Sequence, residues 1–155
     1  MSDLLVKLYD LPAAPLLPPR ALVRRALASE KRAVGEWVAA RFGGGWASEC
    51  EVAFARQPIS CHLALCDGEL AGFACWDATC RGFFGPVGVD ERFRRQSLGR
   101  ALLLNCLRAM AACGYGYAVV GWAHSAPFYA EAVGAVEIPG STPGVYRDRL
   151  RETHP

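Results

Sequence analysis

Apolar positions recur at helical spacing twice in the first third of the chain. Ala33, Val34, Trp37, Val38 and Phe42 fall on one face and predict a helix that starts behind Ser29 as N-cap and ends at Gly43-Gly44-Gly45. Trp46, Cys50, Ala53 and Phe54 predict a second helix over 46–56, stopped before Pro58. Short apolar runs at 4–8 and 21–27 read as strands, and 62–65 with 70–76 read as a hairpin around Asp67-Gly68. A strand over 83–89 follows, then the longest clean helix, 98–112, on which Leu98, Leu102, Cys106 and Met110 align and beyond which Gly114 stands. A buried strand over 117–122, a short helix over 127–133 and a closing strand over 145–149 complete the pattern. This order predicts an α/β (α+β) fold, a mixed and largely antiparallel central sheet flanked by helices, in a single domain covering 1–155.

Composition narrows the class. A chain of 155 residues buries about 68–70% of its unfolded surface, enough for one sizeable core. No apolar stretch approaches the roughly 18 residues of a membrane span, and Asp3 and the prolines at 12, 15, 18 and 19 interrupt any secretory segment. A cytoplasmic protein with no membrane partner is the expectation, its proline-rich segment a strap across the surface. The net charge is only +2, although 15 of the 17 basic residues are arginine, which argues against a protein built to coat nucleic acid. Seven cysteines without a C-x-x-C pair suggest neither a disulfide framework nor a zinc site, and they read as reduced, mostly buried small hydrophobes. His62 reads as a strand histidine and His154 as a tail histidine, so no metal is expected.

The chemistry concentrates between the strand 83–89 and the helix 98–112. The turn Phe93-Arg94-Arg95-Gln96-Ser97-Leu98-Gly99-Arg100 is rich in arginine and leads straight into the helix, whose free N–H groups and positive dipole end face it. Backbone N–H groups from 96–101 can converge on a phosphate while Arg94, Arg95 and Arg100 supply charge, and Gly99 permits close approach. Arg92, Arg94, Arg95 and Arg100 lack the interleaved aromatic platform of a nucleic-acid surface, so a small phosphorylated ligand is the better account. Pro86, which removes a ladder donor, lies between Gly85 and Gly88 and predicts a bulge or a parting of strands.

These residues resemble the GNAT superfamily of N-acetyltransferases. Arg94-x-x-Ser97-x-Gly99 resembles its acyl-CoA signature, Val87-Gly88-Val89-Asp90 its pantetheine-binding strand, and Phe128-Tyr129-Ala130-Glu131-Ala132-Val133-Gly134 its later tyrosine segment; together the resemblance covers 83–135. It implies an acetyl-CoA-dependent N-acetyltransferase that moves the acetyl group directly from the CoA thioester to a small-molecule or peptide amine. The alternative is a non-catalytic module that binds acyl-CoA. Arg94, Arg95 and Arg100 with the amides of Gln96, Ser97, Leu98 and Gly99 would hold pyrophosphate. Val87, Gly88 and Val89 would hold pantetheine, with Phe128 beside it. Arg95 and Ser97 stand where many relatives have glycine, so a turn needing positive φ at either place would carry strain.

Two proton transfers follow from that reaction. A lysine-like amine with pKa about 10.4 needs about 4–5 kcal/mol to free its lone pair at pH 7, so a base should face the acceptor. Glu49 is the favoured candidate, with Glu51, Asp77 and His124 as alternatives. Tyr129 occupies the family's position for assisting the departing thiolate. Trp37, Phe42 and Trp46, around the triple glycine, belong either to the core or to a mobile acceptor pocket, and a homodimer is the base-rate oligomeric state.

Overall fold

The computed structural model describes residues 1–151. Seven strands form one sheet: β1 (Leu4–Lys7), β2 (Ala21–Arg25), β3 (Cys61–Cys66), β4 (Glu69–Trp76), β5 (Phe83–Val89), β6 (Tyr117–Val120) and β7 (Val136–Glu137), in spatial order β2-β3-β4-β5-β6-β1-β7. Every neighbouring pair is antiparallel except β5 with β6, which run parallel. Four helices cover the sheet: α1 (Lys31–Phe42), α2 (Gly44–Phe54), α3 (Leu98–Ala112) and α4 (Ala126–Val133). The fold class read from the sequence is the one observed.

Each face of the sheet has its own core. On one, Leu98, Leu102, Cys106 and Met110 of α3 pack with Val6, Phe84 and Ala118 of the sheet and with Tyr129 and Val133 of α4. On the other, Val34 and Val38 of α1 and Cys50, Ala53 and Phe54 of α2 meet Cys61, Leu63, Phe73 and Cys75. Trp37, Phe42 and Trp46 pack on this second core from its edge, their rings 5.8–6.3 Å from that of Phe73. They form one aromatic cluster with Phe73 at the edge of that core.

His62 is a core histidine. Its Nδ1 meets Asn105 Oδ1 of α3, and its Nε2 accepts from Trp76 Nε1 at 3.1 Å, which sets a neutral ring; burial holds its pKa down at about 4. His154 lies outside the described residues.

Two local expectations are corrected. Ser29 does not cap α1: it lies inside a 3-10 turn, Ala28–Glu30. That turn is closed by the Glu30 carboxylate, which accepts the Leu27 N–H at 2.7 Å and both terminal nitrogens of Arg24, at 2.9 and 2.6 Å. A carboxylate clamped bidentately by a guanidinium outcompetes a serine hydroxyl for this terminus. The strand over 145–149 is likewise absent. A 3-10 turn, Gly144–Tyr146, stands there, Asp148 has φ +60°, and Tyr146 stacks on Trp122 with ring centroids 4.4 Å apart. Aromatic stacking anchors that segment, and the closing strand is the two-residue β7, paired with β1 at Leu4 and Leu5.

The feature that shapes the site is a bulge in β5. Ala74 of β4 opposes Val87 and Trp76 opposes Phe84, so the single Cys75 faces two residues, Gly85 and Pro86, and Gly85 takes φ +120°. Beyond Phe84, which pairs with Val120, β5 and β6 have no further register and separate. Both readings of Gly85-Pro86, bulge and parting, therefore hold.

Candidate active site

The bulge decides which backbone groups face the gap between β5 and β6. Consecutive residues of a strand direct their N–H and C=O to opposite edges. Gly82 O accepts from Val119 N at 2.8 Å, on the β6 side, whereas Asp90 N donates to Ala71 O at 2.9 Å, on the β4 side. Counting back from Asp90, Val87 and Val89 direct their groups to the free edge. Without the extra residue, Pro86 and Gly88 would have done so, and Pro86 has no N–H to offer. The Val89 carbonyl already accepts Arg94 Nε at 3.3 Å.

Gly88 points the other way. A Cβ built on it would lie 2.5 Å from Phe42 Cζ, so its bare face is the seat of the Phe42 ring and not part of the gap. Its place in the site is indirect, through the position it gives Val87 and Val89.

The gap leads to the start of α3. Arg95 (φ +65°) and Ser97 (φ +64°) are both left-handed, the strained case anticipated for non-glycine residues. Ser97 makes no side-chain cap, and the first helical bond runs from Ala101 N to Ser97 O, so the N–H groups of Leu98, Gly99 and Arg100 lack helical partners. They open on a cavity of ≈ 320 Å³ lined by Val89, Phe93, Arg94, Arg95, Ser97, Leu98, Gly99, Arg100 and Phe128. Eight of these nine were assigned to ligand binding from the sequence; Phe93 was named only as the start of the turn, and Val87, Gly88 and Gln96 lie off the lining. A Cβ at Gly99 would meet only Val89 Cγ2, at 3.9 Å, so the missing side chain leaves room in the cavity and relieves no protein contact.

The arginines differ in their engagement. Arg92 is paired with Glu69 and Asp90 and stays off the cavity. Arg100 is tied to Glu131 of α4, a partner with no mark in local spacing because the two lie far apart in the chain. Arg95 has no ion pair or hydrogen bond among the described residues.

Tyr129 is buried against Phe84 and Phe128, with ring centroids 6.4 and 5.1 Å away. Burial pushes its pKa up to about 12, and its hydroxyl makes no hydrogen bond within the described residues yet is not wholly occluded. It belongs to the α3 face of the sheet. Glu49 belongs to the opposite face, on α2, where it accepts the Thr79 hydroxyl at 2.5 Å and its charge, after burial, raises the Tyr146 phenol. The two catalytic candidates thus stand on either side of the sheet that parts between β5 and β6. Asp77 is committed to structure, accepting Gly82 N–H and the Tyr115 hydroxyl, each at 2.7 Å, and Glu51 is an exposed partner of Lys31 at 3.7 Å. His124 is exposed in the turn before α4.

The profile of the acetyltransferase (GNAT) family matches residues 31–135, and the chain belongs to that family. Its fold recurs in solved structures. The GCN5-related glucosamine N-acetyltransferase region of a fungal multi-domain GH3 beta-N-acetylglucosaminidase superposes at TM-score 0.69 with 14% identity, over 88% of this chain and 19% of that one. A GCN5-related N-acetyltransferase from Sphaerobacter thermophilus does so at 0.66 with 20% identity, over 88% and 48%. Another from Kribbella flavida does so at 0.59 with 21% identity, over 88% and 53%. The chain thus spans about half or less of the length of these proteins. No curated protein matches it. Among the described residues, no helix is long and apolar enough to cross a membrane.

Proposed function

We propose that this chain is an acetyl-CoA-dependent N-acetyltransferase that passes the acetyl group directly to a small-molecule or peptide amine. One observation carries the reading: β5 leaves β6 immediately after Phe84, and the edge so freed runs into the unpartnered N–H groups at the start of α3. A ligand with two amides on a flexible arm and a pyrophosphate at its end matches that sequence of donors. Val87 and Val89 offer the free edge for the arm. Leu98, Gly99 and Arg100 offer amides to the pyrophosphate, with Arg94 and Arg95 as counter-charges. Glu69 and Glu131 neutralise Arg92 and Arg100, which suits a small anion better than a polyanion.

Acetyl-CoA supplies the activated thioester when bound. Tyr129 then holds a hydroxyl proton that it does not surrender in the ground state. With its pKa at about 12 against about 8.5 for a thiol, full transfer is uphill by roughly 5 kcal/mol, so its contribution is a hydrogen bond that strengthens as charge grows on sulfur. Glu49, oriented by Thr79 on the far side of the parted strands, accepts the amine proton directly or through water.

Calorimetric titration with acetyl-CoA, followed by release of free thiol across a panel of amines, tests the reading. Saturable binding and amine-dependent thiol release are expected. Absence of binding at millimolar ligand rejects it, and binding without thiol release for any amine leaves a binding module.

A further inference from the structure

We propose that Cys50 of α2, Cys61 of β3 and Cys75 of β4 form a three-sulfur site for copper(I). Their Sγ atoms lie within 4.8 Å of one another, and Cys50 and Cys61 are 3.9 Å apart. Three sulfurs set around one ion at a metal–sulfur distance of about 2.3 Å stand about 4.0 Å from each other, so only small side-chain shifts are needed. All three residues are fully buried, and no disulfide joins them.

The donor set selects the ion. Thiolates are soft ligands that favour copper(I) and zinc. A structural zinc site takes four ligands, and among the described residues no histidine, aspartate or glutamate completes this group. Copper(I) is satisfied by three sulfurs in an apolar pocket. Binding forms three Cu–S bonds and releases one proton to solvent for each thiol that ionises; copper enters as Cu(I), so no electron moves.

A cavity of ≈ 570 Å³ between α1 and α2 is lined by Ala47, Cys50, Phe54, Glu36 and Glu51, with Lys31 paired to Glu51. An ion bound there would fasten α2, and with it Glu49, to β3 and β4.

The test uses the full chain, reduced and free of oxygen, titrated with Cu(I) against a chromogenic Cu(I) chelator. One copper per chain is expected. Its affinity should fall by more than about a hundredfold in Cys50→Ala, Cys61→Ala and Cys75→Ala but stay within roughly threefold in Cys106→Ala, a buried cysteine outside the cluster, and in Cys113→Ala. Should a cluster variant fail to fold, X-ray absorption on the copper-loaded wild type decides: three sulfurs at about 2.3 Å support the site, and a two-sulfur shell overturns it. No copper withdrawn from the chelator, retention in all three cluster variants, or equal affinity for Zn(II) also overturns it.

Discussion

Phe42 at the end of α1 rests its ring on the bare backbone of Gly88 in β5, three of its ring carbons lying 2.5–2.9 Å from where a Cβ would be. The ring cannot give way freely, because Trp37, Trp46 and Phe73 surround it at centroid distances of 5.2–5.8 Å. Gly88→Ala should therefore cost about 1–3 kcal/mol by overpacking. Denaturant unfolding should also give a smaller penalty for the same change in a Phe42→Leu background, since the two residues share one contact.

Ser97 turns the chain into α3 in a left-handed conformation and spends no side-chain hydrogen bond there. Ser97→Gly should stabilise the protein by roughly 0.5–1 kcal/mol, the left-handed penalty of about 1–2 kcal/mol less the flexibility glycine adds to the unfolded chain. Because the amides of Leu98 and Gly99 are untouched, calorimetry should find acetyl-CoA affinity within about twofold of the parent.

Arg100 spends its guanidinium on Glu131, whose side chain is 70% exposed. Glu131→Gln should release it toward the cavity and tighten acetyl-CoA binding by about two- to fivefold, in keeping with the 0.2–1 kcal/mol typical of exposed pairs. Arg100→Ala should weaken binding, and both changes should shrink as salt rises.

The hydroxyl of Tyr129 packs against nothing that needs it, so Tyr129→Phe should leave the unfolding midpoint nearly unchanged. Turnover should fall by about ten- to a hundredfold with KM for acetyl-CoA little altered, the signature of an interaction made in the transition state. Since burial raises the phenol to about 12, no activity loss from its ionisation is expected up to pH 10.

His62 makes the fold sensitive to acid. Its pKa is lowered to about 4 by burial, whereas the unfolded chain takes up a proton near the ordinary histidine value of about 6.5. The contribution is present above pH 6.5 and is lost as pH falls toward 4, reaching about 3 kcal/mol there. Urea unfolding at pH 7 and pH 4 should show a smaller acid loss in His62→Gln than in the parent.

Much of the site was readable from local pattern. Leu98, Leu102, Cys106 and Met110 marked α3 because a one-faced helix must repeat near 3.6 residues, and the arginine turn before it marked the helix start as a candidate phosphate site because the first N–H groups of a helix have no helical partner. Gly85-Pro86 marked an interruption in β5, since proline has no ladder donor. The Glu30 clamp, the stacking of Tyr146 on Trp122 and the pairing of Arg100 with Glu131 left no such mark, because each is an alliance between residues whose spacing carries no periodicity.

The order of strand, basic turn and helix was thus set by the chain's own covalent neighbours, and it placed an arginine-rich turn against the unpartnered amides of a helix start. Only the tertiary structure decided what surrounds it. The register of β4 on β5 turned Val87 and Val89 toward the parting and Gly88 toward Phe42, a choice that one residue more or less would reverse. The register of β3 on β4 set Cys61 opposite Cys75, and the docking of α2 brought Cys50 to them. Side-chain convergence of that kind depends on pairing between distant segments, and no local spacing encodes it.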